Sequence, residues 1–106
     1  MTNKYNARKV RSPDGTFDSM MEYRRWTQLK LLERAGRISG LRRQVKYEII
    51  PKQDGERSEC YVADFVYTEN GNEIVEDCKG MRTRDYIIKR KLMLWMYGIK
   101  IRETRA

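Results

Sequence analysis

The chain has 106 residues, with 23 Lys and Arg against 15 Asp and Glu and a formal net charge of +8, an excess that favours a polyanionic partner, nucleic acid ahead of a membrane surface. It has no histidine and only two cysteines, which excludes the usual zinc sites and leaves acid–base chemistry to carboxylates, lysine, tyrosine or metal-bound water. It has no apolar run long enough to span a bilayer and no signal-peptide pattern, so we expect a soluble protein of the cytoplasm.

The start of the chain is polar and basic and is predicted to be a flexible arm over residues 1–13, followed by one domain over residues 14–106. The arm carries cations that are candidates for contact with DNA phosphates: Lys4, Arg8, Lys9 and Arg11. Asp14-Gly15 marks a turn, and Phe17 begins the ordered body. The alternative to a DNA-binding protein at this stage is a well-solvated basic protein.

A first helix is predicted over residues 19–35, with Ser19 as its cap and Gly36 at its end. Glu22 falls on the inward face of that helix, together with Leu29. A carboxylate there has two interpretations. The spacing of Ser19 and Glu22 is that of a capping box, which the local pattern favours; the alternative is a functional carboxylate that faces the interior.

The elements after the first helix alternate between strands and a second helix. Residues 44–50 alternate polar and apolar side chains and predict a strand, and residues 61–79 predict a hairpin. Residues 84–97 predict a second helix that ends at Gly98, and residues 99–101 predict a last strand. The order α-β-β-β-α-β predicts an α/β fold in which helices flank a small mixed sheet.

The second predicted helix has an apolar stripe and a basic flank. The stripe is predicted to fill the core and consists of Ile88, Leu92 and Trp95 or Met96. The basic flank and two arginines ahead of the helix are candidates for phosphate contact: Arg82, Arg84, Lys89, Arg90 and Lys91. The alternative for the run of three cations is a solvated helix face.

The predicted hairpin places two carboxylates opposite each other. Asn70-Gly71 between apolar-rich runs predicts a tight type I′ turn, and the turn sets the register of its strands. In that register Asp64 lies across from Asp77, and Lys79 shares the face of Asp77. Opposed like charges destabilise a sheet, and a bound divalent cation reverses that sign. The alternative is an ordinary ion pair between Asp77 and Lys79 on a solvated strand.

These residue types suit phosphodiester hydrolysis, which needs an ion that neutralises the phosphate and an activated water. Asp64 and Asp77 are the candidate Mg²⁺ ligands, and Lys79 is the candidate for orienting the water or stabilising charge. The main-chain carbonyl of Cys78 is a further candidate ligand. Glu22 offers another ligand or a water contact from the first helix.

The same pattern resembles the PD-(D/E)XK nuclease superfamily. More closely, the chain is similar over residues 3–101 to a family of small phage and prophage proteins, a domain formerly of unknown function related to phage endonuclease I. The strings that carry the resemblance are Phe17-Asp-Ser-Met-Met-Glu22, Tyr61-Val-Ala-Asp64-Phe and Val75-Glu-Asp-Cys-Lys79-Gly80.

The resemblance implies a restriction-endonuclease-like core and assigns roles to its residues. Asp64 and Asp77 would bind Mg²⁺ or Mn²⁺, and Lys79 would position or activate water. Glu22 would complete the catalytic set, directly or through a water, rather than serve only as a cap. Gln44 lies where some relatives place a polar active-site residue.

One acid in the hairpin competes with the predicted ligand. Many superfamily members have glutamate where this chain has Asp77, and Glu76 stands directly beside it. The alternation of strand side chains favours Asp77, because Glu76 points to the other face of the sheet.

The implied activity is that of a Mg²⁺- or Mn²⁺-dependent endodeoxyribonuclease, structure-selective in the manner of Holliday junction resolvases. The implied partner is branched or junction DNA, the implied assembly is a homodimer, and the implied setting is phage DNA processing in the bacterial host cytoplasm. Two alternatives stay open: a nicking nuclease of mismatch-repair or transposase-subunit type, and a nonenzymatic DNA-binding protein that retains the nuclease fold.

Overall fold

The computed structural model describes residues 8–78 and 82–105. The elements run β1 (Val10–Ser12), β2 (Gly15–Phe17), α1 (Met20–Arg34), β3 (Ser39–Ile50), β4 (Glu59–Glu69), β5 (Asn72–Cys78), α2 (Arg84–Tyr97) and β6 (Arg102–Thr104). β1 pairs with β2, and a four-stranded sheet has the order β3-β4-β5-β6. Its first three strands are antiparallel and β6 is parallel to β5. The predicted α/β class and mixed sheet are therefore confirmed.

Local signals set the helix ends. The Ser19 hydroxyl accepts a hydrogen bond from the Glu22 backbone N–H at 3.1 Å and caps α1. At the other end Gly36 adopts a φ of 76°, and the Arg37 N–H reaches back to the Leu32 carbonyl, which is a Schellman ending. α2 has the predicted bounds and ends where Gly98 turns left-handed at a φ of 67°.

The hairpin between β4 and β5 has the predicted turn and register. Asn70 and Gly71 have φ values of 51° and 79°, both positive as a type I′ turn requires. Glu69 pairs with Asn72 next to the turn, and the ladder continues in that register to Phe65 and Glu76. The turn chemistry therefore fixes which side chains of the two strands face each other.

The two helices cover opposite faces of the four-stranded sheet, and each covers its own hydrophobic cluster. The α2 cluster contains Ile49, Tyr61, Ala63, Val66, Val75, Tyr86, Met93 and Ile101. The α1 cluster contains Leu29, Ile38, Phe65 and Tyr67, with Trp26 packed against them. Consecutive residues of β4 and β5 alternate between the clusters near the turn, as a strand with both faces buried must.

Three predicted boundaries differ from the structure. Val10–Ser12 lies within the predicted flexible arm but forms β1, because the Pro13-Asp14 turn lets it pair with β2; residues 1–7 lie outside the described residues. β3 begins at Ser39 and absorbs the predicted connection. The last strand is Arg102–Thr104 and not residues 99–101, because Ile101 is buried as core while the ladder with β5 forms after it.

The predicted core stripe of α2 is wrong except at Leu92, which is half-buried and packs against the α2 cluster. Tyr86 and Met93 are the buried residues of α2, whereas Trp95 is 82% exposed and Ile88 is 45% exposed. Tyr86 and Met93 are two helical turns apart and share a face, and Trp95 lies about 200° around the helix from Met93.

In the described part of the chain, no helix is long and apolar enough to cross a membrane.

Candidate active site

Asp64 of β4 and Asp77 of β5 meet one position beyond the last ladder pair of the hairpin. Their carboxyl groups hydrogen-bond to each other. The Cys78 backbone N–H donates to Asp64 Oδ2 at 2.9 Å, and Asp77 is only 2% exposed. The register predicted from the Asn70-Gly71 turn thus brings two acidic side chains into contact, with Asp77 buried and Asp64 half-buried.

Burial is the main cause that raises the pKa of Asp64 to about 9, and the hydrogen bond and charge of Asp77 add to it. The charge of Glu22 acts in the same direction, whereas the Cys78 N–H opposes it. In the protein without a bound cation, the two carboxyl groups therefore share one proton at neutral pH. A proton or a cation between the two groups removes the same repulsion.

The sheet is irregular where Asp64 lies. Tyr61 and Ala63 pack in the α2 cluster and Phe65 packs in the α1 cluster, although residues two apart in a regular strand share a face. Gln44 is opposite on β3, with a left-handed φ of 55°, and the pairing of β3 with β4 skips that position. Such distortions re-aim side chains near active sites.

Glu22 points from the first turn of α1 toward this irregularity and is 4% exposed. The Gln44 side-chain amide donates to Glu22 Oε1 at 3.3 Å, and Arg43 Nη2 lies 3.6 Å from the same oxygen. Burial, then the charge of Asp18, raises the pKa of Glu22, and Arg43 opposes the shift. Ser19 caps the helix while the Glu22 carboxylate turns to β3, so capping and the inward position coexist.

The ligand set is narrower than the sequence predicts. Among residues 8–78 and 82–105, no three Asp, Glu or Cys side chains come together closely enough to hold a metal ion. Asp64 and Asp77 are in contact, and Glu22 approaches them only closely enough to affect the pKa of Asp64. Burial raises the pKa of the Cys78 thiol to about 12, so the thiol stays protonated. Lys79 lies outside the described residues.

A pocket of about 290 Å³ opens over the two aspartates. It is lined by Tyr61, Val62, Asp64, Asp77, Thr83, Asp85, Tyr86 and Lys89. The residues come from β4, β5 and the start of α2, so the sheet supplies Asp64 and Asp77, and the helix supplies a third acid, Asp85, and a cation. Lys89 is thus brought to the aspartates by the fold, from the predicted basic flank of α2.

Glu76 lies on the opposite face of β5 from Asp77, as strand alternation predicts. Its carboxylate is 0% exposed and accepts two hydrogen bonds from Arg25 of α1, from Nε at 2.6 Å and from Nη2 at 3.0 Å. The Tyr67 hydroxyl donates to the same carboxylate. Glu76 is therefore engaged in a buried ion pair beneath α1, away from the pocket.

The predicted phosphate-binding residues fall into separate groups. Lys89 lines the pocket. Arg82 and Arg90 are both bound to Glu103 of β6. The other described candidates are exposed: Arg8, Lys9, Arg11, Arg84 and Lys91. Lys4 lies outside the described residues.

Glu103 is a site neighbour that sequence reasoning missed. It pairs directly with Asp77 through the parallel ladder between β5 and β6. Burial by itself raises the pKa of Glu103, but hydrogen bonds from Tyr86, Arg82 and Arg90 outweigh it and lower the pKa to about 2. No local signal could have found this neighbour, since parallel pairing across an intervening helix leaves no turn in the sequence.

Two tyrosines were also missed. Tyr61 and Tyr86 line the pocket beside Asp77 from β4 and α2. Burial, followed by the charge of Asp77, raises the pKa of Tyr61, and burial with the hydrogen bond to Glu103 raises the pKa of Tyr86. Both hydroxyls therefore stay protonated at neutral pH, and that of Tyr86 donates to Glu103 Oε2. Tyr61 stands three residues before Asp64, a spacing that is not a motif.

A protein-family model described as a protein of unknown function (DUF1064) matches residues 2–104. No curated protein and no solved structure matches the chain. The match covers both helices, both sheets and every residue of the pocket. On this match the chain belongs to the DUF1064 family.

Proposed function

We propose that the protein is a metal-dependent endodeoxyribonuclease that hydrolyses phosphodiester bonds. The observation that carries the proposal is the contact between the carboxyl groups of half-buried Asp64 and buried Asp77, beneath a pocket whose wall carries Lys89. Contact between like charges is costly for a fold unless another charge is bound there. The net charge of +8 supports a polyanionic substrate.

The donor chemistry of the pair fits Mg²⁺ or Mn²⁺. Mg²⁺ is commonly held by one or two carboxylates together with waters and substrate phosphate, so a cage of three side chains is not required. Asp64 and Asp77 would hold the ion, with the Cys78 main-chain carbonyl as a further ligand and Glu22 reaching it through a water. When bound, the ion supplies charge neutralisation at the phosphate and makes a water more acidic.

Three further residues act on the substrate, on Glu22 and on the attacking water. Lys89 contacts a phosphate oxygen from the pocket wall, where it is placed by α2. The Gln44 amide holds Glu22 Oε1 and so fixes the direction of that carboxylate. Lys79 orients the attacking water through Nζ, an assignment that comes from the Asp77-Cys78-Lys79 pattern of the sequence.

The substrate in this proposal is branched or junction DNA, cut by a homodimer in the bacterial host cytoplasm. Support for the DNA structure comes from the sequence resemblance. Support for the dimer comes from the outer side of α2, where large apolar side chains are exposed: Ile88, Leu94, Trp95 and Met96. A single domain of this size covers only a short stretch of duplex, and two copies address the paired strands of a branch.

The test of the activity is cleavage of a labelled four-way junction and of a linear duplex with the same arm sequence. Each is incubated with Mg²⁺, Mn²⁺ or EDTA, using wild type, Asp77→Asn and the control Asp54→Asn, which changes an exposed loop acid by the same charge. Metal-dependent cutting of the junction by wild type and by the control, lost in Asp77→Asn, supports the proposal. Cutting of one strand of the linear duplex would favour a nicking nuclease instead.

A second candidate is a nonenzymatic DNA-binding protein. The observation that favours it is that no three-ligand cluster forms among the residues that the structure describes. It predicts DNA binding that survives in Asp77→Asn, with no metal-dependent cleavage of either substrate by wild type. That combination of results would overturn the nuclease proposal.

A further inference from the structure

A row of polar residues crosses the four-stranded sheet at the pocket. Gln44 of β3 lies opposite Asp64 of β4, Asp64 meets Asp77 of β5, and Asp77 pairs with Glu103 of β6. Glu103 therefore extends the line of acids to the edge strand. Three carboxylates in neighbouring strands raise the question of what Glu103 does there.

The answer lies in the groups that Glu103 binds. Arg82 donates to Oε1 from Nε at 2.9 Å and from Nη2 at 2.5 Å. Arg90 Nη1 and the Tyr86 hydroxyl donate to Oε2 at 3.0 Å and 2.7 Å. One carboxylate thus gathers two arginines that are eight positions apart, one ahead of α2 and one within it.

The cluster keeps an excess of positive charge that faces solvent. Two arginines on one glutamate leave one net positive charge, and each guanidinium has more donors than Glu103 uses. The side chain of Arg82 is 44% exposed and that of Arg90 is 34% exposed, whereas that of Glu103 is 14% exposed. The acid is the inner member of the cluster and the two cations are the outer members.

The cluster borders the pocket. Thr83 and Lys89 line the pocket, and they are the immediate sequence neighbours of Arg82 and Arg90. Tyr86 belongs to both groups, because it lines the pocket and donates to Glu103. The two arginines are therefore held at the edge of the surface that the aspartates form.

We propose that Glu103 is a positioning residue that holds Arg82 and Arg90 on the rim of the pocket, where they bind DNA phosphates next to the one that reacts. The ligand in this inference rests on the proposed function. Guanidinium groups bind phosphate bidentately when their orientation is fixed, and Glu103 fixes two of them at once. Because Glu103 already orders the two arginine side chains in the free protein, they lose little further conformational entropy when they bind DNA.

Glu103→Gln separates this role from a plain effect of charge. The substitution removes a negative charge, so nonspecific electrostatics predicts tighter binding to DNA. A positioning role predicts the opposite, weaker binding in spite of the higher positive charge. The matched control is Glu69→Gln, which makes the same charge change and removes the ion pair of Glu69 with Arg102, formed at 3.1 Å near the Asn70-Gly71 turn.

The measurement is fluorescence anisotropy of a labelled duplex in EDTA, so that binding is read without cleavage, over a series of salt concentrations. We expect Glu103→Gln to bind DNA at least about threefold more weakly than wild type. The slope of the logarithm of the binding constant against the logarithm of the salt concentration should be smaller in magnitude by about one. Glu69→Gln should bind as tightly as wild type or more tightly. Equal or tighter binding by a folded Glu103→Gln would overturn the inference.

A second variant covers the case in which Glu103→Gln does not fold. Arg82→Lys with Arg90→Lys keeps the net charge and removes the guanidinium forks, and we expect it to weaken binding by about threefold or more. Unchanged binding by this double variant also overturns the inference. Wild type that binds and cleaves DNA while both variants bind normally leaves the proposed function intact, whereas wild type that binds no DNA removes both.

Discussion

Glu76 and Asp77 are neighbours in β5 that carry the same charge and have opposite surroundings. Glu76 faces α1, where Arg25 binds it with two hydrogen bonds and Tyr67 with another. Asp77 faces the pocket, where it meets the carboxyl group of Asp64. Both side chains are nearly inaccessible, at 0% and 2% exposed. The two residues therefore do not differ in burial. They differ in the charge of the side chain that contacts them, a cation for Glu76 and a second acid for Asp77.

The difference teaches how one strand serves two purposes. On the α1 face the charge of Glu76 is compensated within the fold, so that residue needs nothing from outside the protein. On the pocket face two acids and a proton occupy a place suited to a cation. Assigning a role to a buried carboxylate thus depends on whether a cationic side chain or a second acid contacts it.

The largest expected effect separates the two acids by activity. Asp77→Asn should lower metal-dependent cleavage by more than about 100-fold, because changes even to groups behind metal ligands cost up to that factor. Glu76→Gln should leave the cleavage rate per folded molecule within a few-fold of wild type. The measurement is single-turnover cleavage normalised to the folded fraction from circular dichroism. A large loss in both variants would contradict the division of roles.

The next largest effect concerns the contribution of the ion pair on the α1 face to the free energy of unfolding. Arg25→Ala leaves the Glu76 carboxylate buried without its guanidinium and should lower the free energy of unfolding by about 3 kcal/mol. Arg24→Ala, a change at the exposed neighbouring residue, should cost within about 0.5 kcal/mol. Urea unfolding of the two variants measures the difference. Equal small losses would show that the ion pair of Glu76 is weakly coupled to the fold.

The pH dependence of stability tests the pair on the pocket face. The pKa of Asp64 is raised from 3.8 to about 9, so the folded protein holds a proton that the unfolded chain releases over that interval. Stability contributed by this group is present at low pH and is lost as pH rises through the interval. Thermal unfolding in EDTA should show wild type losing stability relative to Asp64→Asn as pH rises. Parallel curves for the two proteins would contradict the shared proton.

Magnesium should reverse part of that loss in wild type. A cation that binds the deprotonated pair stabilises the folded state in proportion to its occupancy, and its effect grows as the proton leaves. The increase in melting temperature on adding Mg²⁺ should therefore be larger at the alkaline end of the interval. Asp64→Asn, which lacks one of the two carboxylates, is the control and should respond less.

The parts of the site that local chemistry sets could be predicted from the sequence. Asn70-Gly71 fixes the hairpin register and hence the meeting of Asp64 and Asp77. Ser19 and Gly98 set helix ends that match the predictions. The role of Asp77 in chemistry stays a prediction, since a register gives proximity and not activity.

The parts that depend on contacts between distant segments could not be predicted. The ion pair of Arg25 and Glu76 joins residues 51 positions apart, and Glu103 reaches Asp77 through a parallel ladder formed after α2. The apolar stripe of α2 misled the prediction because hydrophobicity shows which faces are apolar and not which face is covered. Trp95 is the clearest case, apolar and 82% exposed.

The smallest effect concerns Gln44, which connects backbone strain to the direction of Glu22. Its left-handed φ of 55° costs a residue with a side chain about 1 kcal/mol, and its amide holds Glu22 Oε1 at 3.3 Å. Gln44→Gly relieves the strain and loses the hydrogen bond, so stability should stay within about 1 kcal/mol of wild type. Cleavage should fall about tenfold, because Glu22 loses the group that orients it. Asn70→Gly, which relieves a φ of 51° far from the pocket, is the matched control and should keep full activity. If Gln44→Gly is as active as wild type, the strained residue serves the shape of β3 and not the orientation of Glu22.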